Sequence, residues 1–143
     1  MWIVIALVLA AIWRRPGILL EVIAAALASE LLSYALREWI GRDRPPLTHA
    51  RPKALVGVPH SGSFPSGHAT TAFACAALLA WAAPRLAVPF FILAAAIGFS
   101  RIYVGVHYPL DVVGGAALGL AIATALRWLV TSRRRSHRAP KAG

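Results

Sequence analysis

Three short clusters of polar residues interrupt an otherwise apolar chain of 143 residues. Together they hold eight residues whose types could perform chemistry: Arg37 and Arg44; Ser66, Gly67 and His68; Arg101, His107 and Asp111. Each cluster falls at the end of an apolar segment, so helices of similar length would bring all three to one end of a bundle. The clusters therefore predict a single site.

A phosphate ester is the ligand that these residue types fit best. The three arginines supply permanently charged, planar guanidinium groups, which bind phosphoryl oxygens with two parallel hydrogen bonds. Ser66 and Gly67 precede an apolar segment, and the free N–H groups and positive dipole end of a helix N-terminus also bind anions. The sequence thus predicts that Arg37, Arg44, Ser66, Gly67 and Arg101 bind phosphate.

The two histidines suit a displacement in two steps. One neutral imidazole can attack phosphorus while the other, protonated, gives its proton to the leaving oxygen. Asp111 follows His107 by four residues, which places it on the same helical face, where it can hold the imidazole in one tautomer. The residues alone leave open which histidine attacks.

Each cluster also has an ordinary structural interpretation when it is taken alone. Pro-Ser-Gly is typical of a turn and helix cap, Arg-Pro is common in loops, and His107 with Asp111 could be a surface pair. The conjunction of the three clusters favours an enzyme. We expect neither a metal nor another cofactor, because the cationic groups already spread transition-state charge and three arginines would repel a zinc ion.

Composition places these clusters in a membrane protein. The chain is 59% hydrophobic and only 14% charged, with a mean hydropathy of +0.67, whereas a soluble domain is roughly 45–50% apolar and about 25% charged. The net charge of +10 fits anionic lipid or phosphate better than nucleic acid, since no basic face carries interleaved aromatic residues. Cys75, the single cysteine, is interpreted as a small buried hydrophobe.

Apolar segments bounded by proline, glycine or arginine predict an all-α transmembrane bundle of about five helices. Four segments are long enough to span a bilayer, and a shorter one precedes them. The spans are predicted at residues 17–36, 66–83, 87–106 and 109–130, with the short first helix within residues 1–13. One domain is expected over 1–132, followed by a basic, disordered tail over 133–143.

The distribution of basic residues predicts the orientation of the bundle. Nine of the 15 Lys and Arg residues fall on the side that holds the C-terminus, and six fall on the side that holds the clusters. The positive-inside rule therefore places the C-terminus in the cytoplasm and the site at the outer membrane interface. Trp13, Trp81 and Trp128 are expected at the inner interface, with Trp39, Tyr103 and Tyr108 at the outer one.

The clusters resemble the signature of the type 2 phosphatidic acid phosphatase superfamily of membrane lipid phosphatases. That signature has Lys and, after six residues, Arg-Pro; then Pro-Ser-Gly-His; then Ser-Arg, five residues, His, three residues and Asp. The segment from Gly98 to Gly114 is similar to bacterial members. Two features depart from the family: Arg37 replaces the usual Lys, and the chain offers fewer helices than the usual six.

The resemblance implies roles for the matching residues. His107 would be the nucleophile that forms a phosphohistidine, Asp111 its orienting partner, and His68 the acid for the leaving group and then the base for water. It also implies a bacterial cell membrane and a lipid phosphate substrate, with undecaprenyl diphosphate favoured. Phosphatidylglycerophosphate, phosphatidic acid and prenyl-phospho-sugar phosphates stay open, as do a non-catalytic lipid-phosphate-binding protein and self-association.

Further residues carry weaker expectations. Arg51, Lys53 and His60 could contact a second phosphate, although solvated loop charges are the simpler interpretation. Glu30 lies inside a predicted span, where a buried hydrogen bond across helices is favoured over a role in proton or ion transport. Gly115 and Gly119 form a pair of small residues that predicts close helix packing within the bundle, rather than a dimer contact.

Overall fold

The computed structural model describes residues 1–12, 14, 16–48 and 54–136. These residues form helices and no strands, which confirms the all-α fold. The helices are α1 (Trp2–Ile12), α2 (Gly17–Ile40), the single turn α3 (Pro45–Thr48), α4 (Gly67–Ala82), α5 (Ala87–Tyr103) and α6 (Pro109–Ser136), with a 3₁₀ turn at Pro84–Leu86. The predicted segments thus become helices in the expected order.

Three of the helical segments are long and apolar enough to cross a membrane: Gly17–Leu47, Pro84–Tyr103 and Pro109–Ser132. The prediction of a fourth full span at 66–83 is wrong in length, because α4 has 16 residues. At 1.5 Å per residue it is about 24 Å long, short of the roughly 30 Å of a bilayer core. Pro65 and Pro84 bound the apolar segment as expected, and Ser66 and Ala83 at its two ends are the caps of the helix.

The short helix α4 is the centre of the bundle. It packs against α2, α5 and α6, and eleven of its 16 residues are buried, mostly alanines. Cys75 is among them and is fully buried, as predicted. Small side chains on all faces of α4 let α2, α5 and α6 pack closely against it. This packing holds the N-terminus of α4 in place.

Helix α6 makes the closest approach to α4, through two glycines. A Cβ atom on Gly115 would lie 2.6 Å from the carbonyl oxygen of Ser66, and one on Gly119 would meet the carbonyl oxygen of Thr70 at a still shorter distance. The predicted packing role of this pair inside the bundle is confirmed. The contact brings the first turns of α4 and α6 together, and both turns carry site residues.

Large apolar side chains cover the outside of the bundle, as expected for a surface that faces lipid. Aromatic residues stand exposed at its two ends: Trp39 and Tyr103 at the end that holds the site, Trp81 and Trp128 at the other. Aromatic residues at both ends are typical of a membrane helix bundle. Helix α6 continues to Ser136, so the first four residues of the tail predicted over 133–143 belong to the helix. Trp13 and residues 137–143 lie outside the described residues, so the predictions made for them stay predictions.

Candidate active site

Two arginines of the site lie near the end of α2: Arg37 in its last turn and Arg44 in the segment that follows. Gly41 terminates the helix with φ +60°, and its N–H donates to the carbonyl oxygen of Arg37 at 2.9 Å. Glycine adopts this left-handed conformation without steric cost. The chain therefore turns sharply after α2, and the segment that follows lies against residues 61–63.

Arg44 links the segment after α2 to residues 61 and 62 and to the turn between α5 and α6. Its Nε donates to the carbonyl oxygen of Ser61 at 2.9 Å, and its Nη2 donates to that of Gly62 at 3.0 Å. Its Nη1 donates to the carbonyl oxygen of Val106 at 3.0 Å and lies 3.3 Å from His107 Nε2. The guanidinium is buried, so Arg44 positions the loop and the histidine as well as facing the cavity.

The contact with Arg44 favours one tautomer of His107. A guanidinium can only donate, so in a neutral imidazole Nε2 would accept this contact and the proton would reside on Nδ1. Asp111 Oδ2 lies 3.5 Å from Nδ1, a pairing too long to count as a well-formed hydrogen bond. Such contacts in empty active sites are often long and shorten around substrate.

Asp111 is held from two sides although its side chain is fully buried. Its Oδ2 accepts the N–H of Tyr108 at 2.8 Å, and its Oδ1 accepts Arg42 Nη1 at 2.7 Å. The Arg42 guanidinium also lies over the Tyr108 ring, 4.4 Å from its centroid. A buried carboxylate without such partners would be costly, so this arrangement lets Asp111 stay ionised beside His107.

The start of α4 brings backbone N–H groups to the edge of the cavity. The N–H of Ser66 donates to the carbonyl oxygen of Asp111 at 2.9 Å, while the Ser66 hydroxyl is buried without a hydrogen-bond partner. A Cβ atom on Gly67 would come within 2.5 Å of Arg37 Nη1, so only glycine allows this approach. The first N–H groups of the helix are thereby brought next to a guanidinium.

Six of the eight predicted residues line one cavity of about 220 Å³: Arg37, Arg44, Gly67, His68, Arg101 and His107. The remaining two, Ser66 and Asp111, are buried next to Gly67 and His107 respectively. The structure thus brings all three clusters together. Four loop residues, Val56, Gly57, Pro59 and Ser61, also contribute to the wall, which no motif indicated.

His68 stands in the first turn of α4, outside the three candidate spans. Burial, together with the neighbouring Arg101 guanidinium, lowers the pKa of His68 below its ordinary value of 6.5. Both effects disfavour the imidazolium form, and an anionic ligand in the cavity would oppose them. The protonation of His68 therefore depends on what the cavity holds.

The sequence did not predict the contacts of two further residues. Arg42 is one of the six basic residues expected on this side, but no spacing rule links it to Asp111. Glu30 is not buried as expected: its side chain is 68% exposed and lines the cavity, 3.6 Å from Arg37 Nη2. Its position seven residues before Arg37, two turns along one helix face, is a signal that could have found it.

Of the residues expected at a second phosphate, only His60 is described, and it does not line this cavity. His60 lines a neighbouring recess with Glu38 and Arg42 instead, and Arg51 and Lys53 lie outside the described residues. Over the described ranges, no group of three or more His, Cys, Asp and Glu side chains is arranged to hold a metal ion.

Comparison with known proteins matches this geometry to a family. The family model of the PAP2 superfamily matches residues 18–135. The lipid A 1-phosphatase of Rhizobium etli is 43% identical over 97 residues, which cover 64% of this chain and 41% of the relative. The decaprenylphosphoryl-5-phosphoribose phosphatase of Mycobacterium tuberculosis is 35% identical over 138 residues, 96% of this chain and 76% of the relative.

A third relative and a solved structure agree with these matches. Undecaprenyl-diphosphatase BcrC of Bacillus subtilis is 32% identical over 125 residues, 82% of this chain and 63% of the relative. The crystal structure of Aquifex aeolicus LpxE superposes with a TM-score of 0.75 at 30% identity, covering 85% of this chain and 73% of that one. The chain spans about two fifths of the lipid A 1-phosphatases it matches. It belongs to the PAP2 superfamily, and the resemblance seen in its three clusters is confirmed.

Proposed function

We propose that the protein is a phosphatase that removes phosphate from a membrane lipid through a phosphohistidine intermediate. One observation carries the proposal: His107, whose Nε2 lies 3.3 Å from Arg44 Nη1, faces a cavity lined by three arginines and a second histidine. Membership of a superfamily whose named relatives are phosphatases supports it.

In the first step His107 Nε2 attacks phosphorus, the N–P bond forms and the bond from phosphorus to the leaving oxygen breaks. That oxygen takes the electron pair and receives a proton from His68. Arg37, Arg44, Arg101 and the first N–H groups of α4 bind the phosphoryl oxygens, whose charge they stabilise in the transition state. Asp111 stabilises the positive charge that the His107 ring acquires.

In the second step water replaces the histidine. His68, neutral after the first step, takes a proton from water as the water oxygen attacks phosphorus. The N–P bond breaks, its electron pair returns to His107 Nε2, and inorganic phosphate is released. No divalent cation enters either step, because the guanidinium groups carry out the charge stabilisation that a metal ion would otherwise provide.

Two substrate classes have support. The sequence favours undecaprenyl diphosphate, and the match to BcrC agrees with it. A phosphorylated sugar linked to a prenyl phosphate is the second candidate, because the relative with that activity matches 96% of this chain. We further propose a bacterial cell membrane location with the cavity on the extracytoplasmic side, which the distribution of basic residues supports.

The test is phosphate release by the purified protein in detergent with excess EDTA. Farnesyl diphosphate, phosphatidic acid and phosphatidylglycerophosphate would be compared under the same conditions. We expect release that persists in EDTA and falls to background in His107→Ala, while His60→Ala serves as a control histidine outside the cavity. A folded wild type that releases phosphate from none of these lipids would contradict the proposed function and leave a lipid-phosphate-binding protein.

A further inference from the structure

Glu30 occupies a costly position that the phosphatase chemistry does not explain. It belongs to the membrane-spanning helix α2, where an ionised carboxylate is unfavourable unless it is paired or faces water. Its side chain is 68% exposed, and it lines the same cavity as the arginines. Over the described residues it is the only carboxylate in that lining, so it places negative charge where an anion is expected to bind.

An ion pair with Arg37 does not fully explain why the Glu30 carboxylate lines the cavity. The closest atoms, Arg37 Nη2 and Glu30 Oε1, are 3.6 Å apart, beyond hydrogen-bond distance. The Arg37 side chain is 9% exposed, whereas the carboxylate stays open to the cavity. An ion pair so exposed contributes little to stability, and most of the hydrogen-bonding capacity of Glu30 is free for a ligand.

The place of Glu30 relative to His68 identifies which part of a substrate it would meet. A second cavity of about 450 Å³ adjoins the first, and Glu30, Gly67, His68 and Arg101 line both. In the proposed reaction His68 must reach the leaving oxygen, so that oxygen would lie at the boundary between the cavities. With phosphate beside Arg37 and Arg44 in the first cavity, the alcohol half of the substrate would extend past Glu30 into the second.

The chemistry of a carboxylate then restricts that alcohol. An ionised carboxylate only accepts hydrogen bonds, so it favours a hydroxyl on the leaving group. A second phosphate at this point would also be an anion and an acceptor, and it would be repelled. A leaving group without donors would gain nothing from Glu30.

We propose that Glu30 is a specificity-determining residue that selects lipid phosphomonoesters whose alcohol carries a hydroxyl next to the ester and disfavours diphosphates. The inference rests on the proposed function, since it places the leaving group by the action of His68. It gives the substrate a chemical class: a phosphorylated polyol or sugar attached to a lipid.

The test uses two substrates that differ in one hydroxyl. Lysophosphatidic acid carries a free hydroxyl beside the phosphate-bearing carbon, and its 2-deoxy analogue lacks it. Farnesyl diphosphate serves as the diphosphate. Phosphate release gives kcat/KM for each substrate with wild type, Glu30→Gln, Glu30→Ala and the control Glu21→Gln, a glutamate on the same helix that lines a recess at the opposite end of the bundle.

We expect wild type to prefer lysophosphatidic acid over the deoxy analogue by about tenfold or more, the usual effect of a hydrogen bond to a charged group. Glu30→Ala should bring that ratio close to one, and Glu30→Gln should lower it while raising kcat/KM for farnesyl diphosphate. Glu21→Gln should keep the wild-type ratios.

The two hypotheses fail in different ways. If wild type is active, His107→Ala is inactive and the substrate ratios are unchanged in both Glu30 variants, the inference is overturned and the proposed function stands. Equal losses on all three substrates would also overturn it, because they would assign Glu30 to the support of Arg37. Absence of phosphate release from every substrate by folded wild type would contradict the proposed function and the inference together.

Discussion

Arg42 connects the end of α2 to the buried carboxylate behind the proposed nucleophile. It donates to Asp111 and stacks on Tyr108, and its own side chain is 35% exposed. It lines no part of the catalytic cavity, so its effect on the reaction must pass through Asp111. We therefore interpret Arg42 as a positioning residue.

Substitution of Arg42 should lower kcat and leave KM nearly unchanged. Arg42→Lys keeps the charge and the folded state but loses the planar group that bonds Asp111 and stacks on Tyr108. Displacement of a catalytic group by about 1 Å can cost about 10²-fold, so a fall in kcat between tenfold and this limit is expected. Steady-state kinetics beside Arg85→Lys, at the other end of the bundle, provides the measurement; a rise in KM at constant kcat would show that Arg42 binds substrate instead.

Arg101 should influence the pH dependence of kcat/KM through its effect on the pKa of His68. The general acid must be protonated, so kcat/KM of the free enzyme falls as pH rises through the pKa of His68. Burial and Arg101 lower this pKa, and removal of the Arg101 charge therefore raises it. In Arg101→Gln the alkaline limb of the kcat/KM profile should move to higher pH, even though the amplitude falls with the loss of a phosphate ligand. An unmoved limb would contradict His68 as the acid in this step.

The site residues that the sequence revealed are those that lie close together along the chain. His107 lies in the turn before α6 and Asp111 in the first turn of that helix, so the prediction that both share one helical face is wrong, although the four-residue spacing still brings the two side chains together. Ser66, Gly67 and His68 mark the start of α4, as predicted. The bond from Arg42 to Asp111 joins residues 69 positions apart and depends on how α2 ends. Pairwise contacts of this kind have no periodic signature, so only the structure reveals them.

At the scale of the elements, the contact between α4 and α6 aligns the second and third clusters. Gly119→Ala places a methyl group against the carbonyl oxygen of Thr70 and within 2.9 Å of the backbone nitrogen of Ala74. Because neither backbone can give way cheaply, we expect a loss of about 1–3 kcal/mol in stability. Thermal unfolding in detergent measures it, with Gly17→Ala as a control that has open space around its Cβ position.

Loss of activity should follow from the same change in the packing of α4 and α6. The hydrogen bond from Ser66 to the Asp111 carbonyl links the first turns of the two helices, so a shift between them would separate the backbone proposed to bind phosphate from His107, the proposed nucleophile. Gly119→Ala should therefore reduce kcat/KM at temperatures where the protein is still folded. Full activity and an unchanged melting temperature would contradict the close packing.

The elements were predictable to within a few residues where proline or glycine ends an apolar segment. Pro84 and Pro109 begin new helical segments as expected, whereas α2 continues past residue 36 to Ile40, because Arg37 and Glu38 are good helix formers and Gly41 is the true C-cap. The part of the cavity wall formed by Val56, Gly57, Pro59 and Ser61 could not be predicted. Its shape depends on hydrogen bonds from Arg44 to backbone carbonyl groups. Every residue has a backbone carbonyl group, so the sequence does not indicate which of them Arg44 contacts.

At the scale of the whole molecule, the structure shows which residues lie at the same end of the bundle. Which end faces outward depends on how the bundle is inserted in the membrane. The clusters meet where α2 and α5 end and where α4 and α6 begin. Arg85 follows α4 at the opposite end and is exposed. The excess of basic residues at that opposite end predicts that it faces the cytoplasm. A lipid substrate presented on the outer leaflet would then enter the cavity directly.

Cysteine labelling in intact cells tests this orientation. Cys75 is fully buried, and Cys75→Ala gives a background without thiols. In that background Gly57→Cys, in the exposed loop of the cavity wall, should react with a membrane-impermeant maleimide in intact cells. Arg85→Cys should react only after the membrane is permeabilised. The reverse pattern would place the site on the cytoplasmic side, so that the substrate would have to come from the inner leaflet, and labelling of both residues in intact cells would contradict a chain that spans the membrane between them.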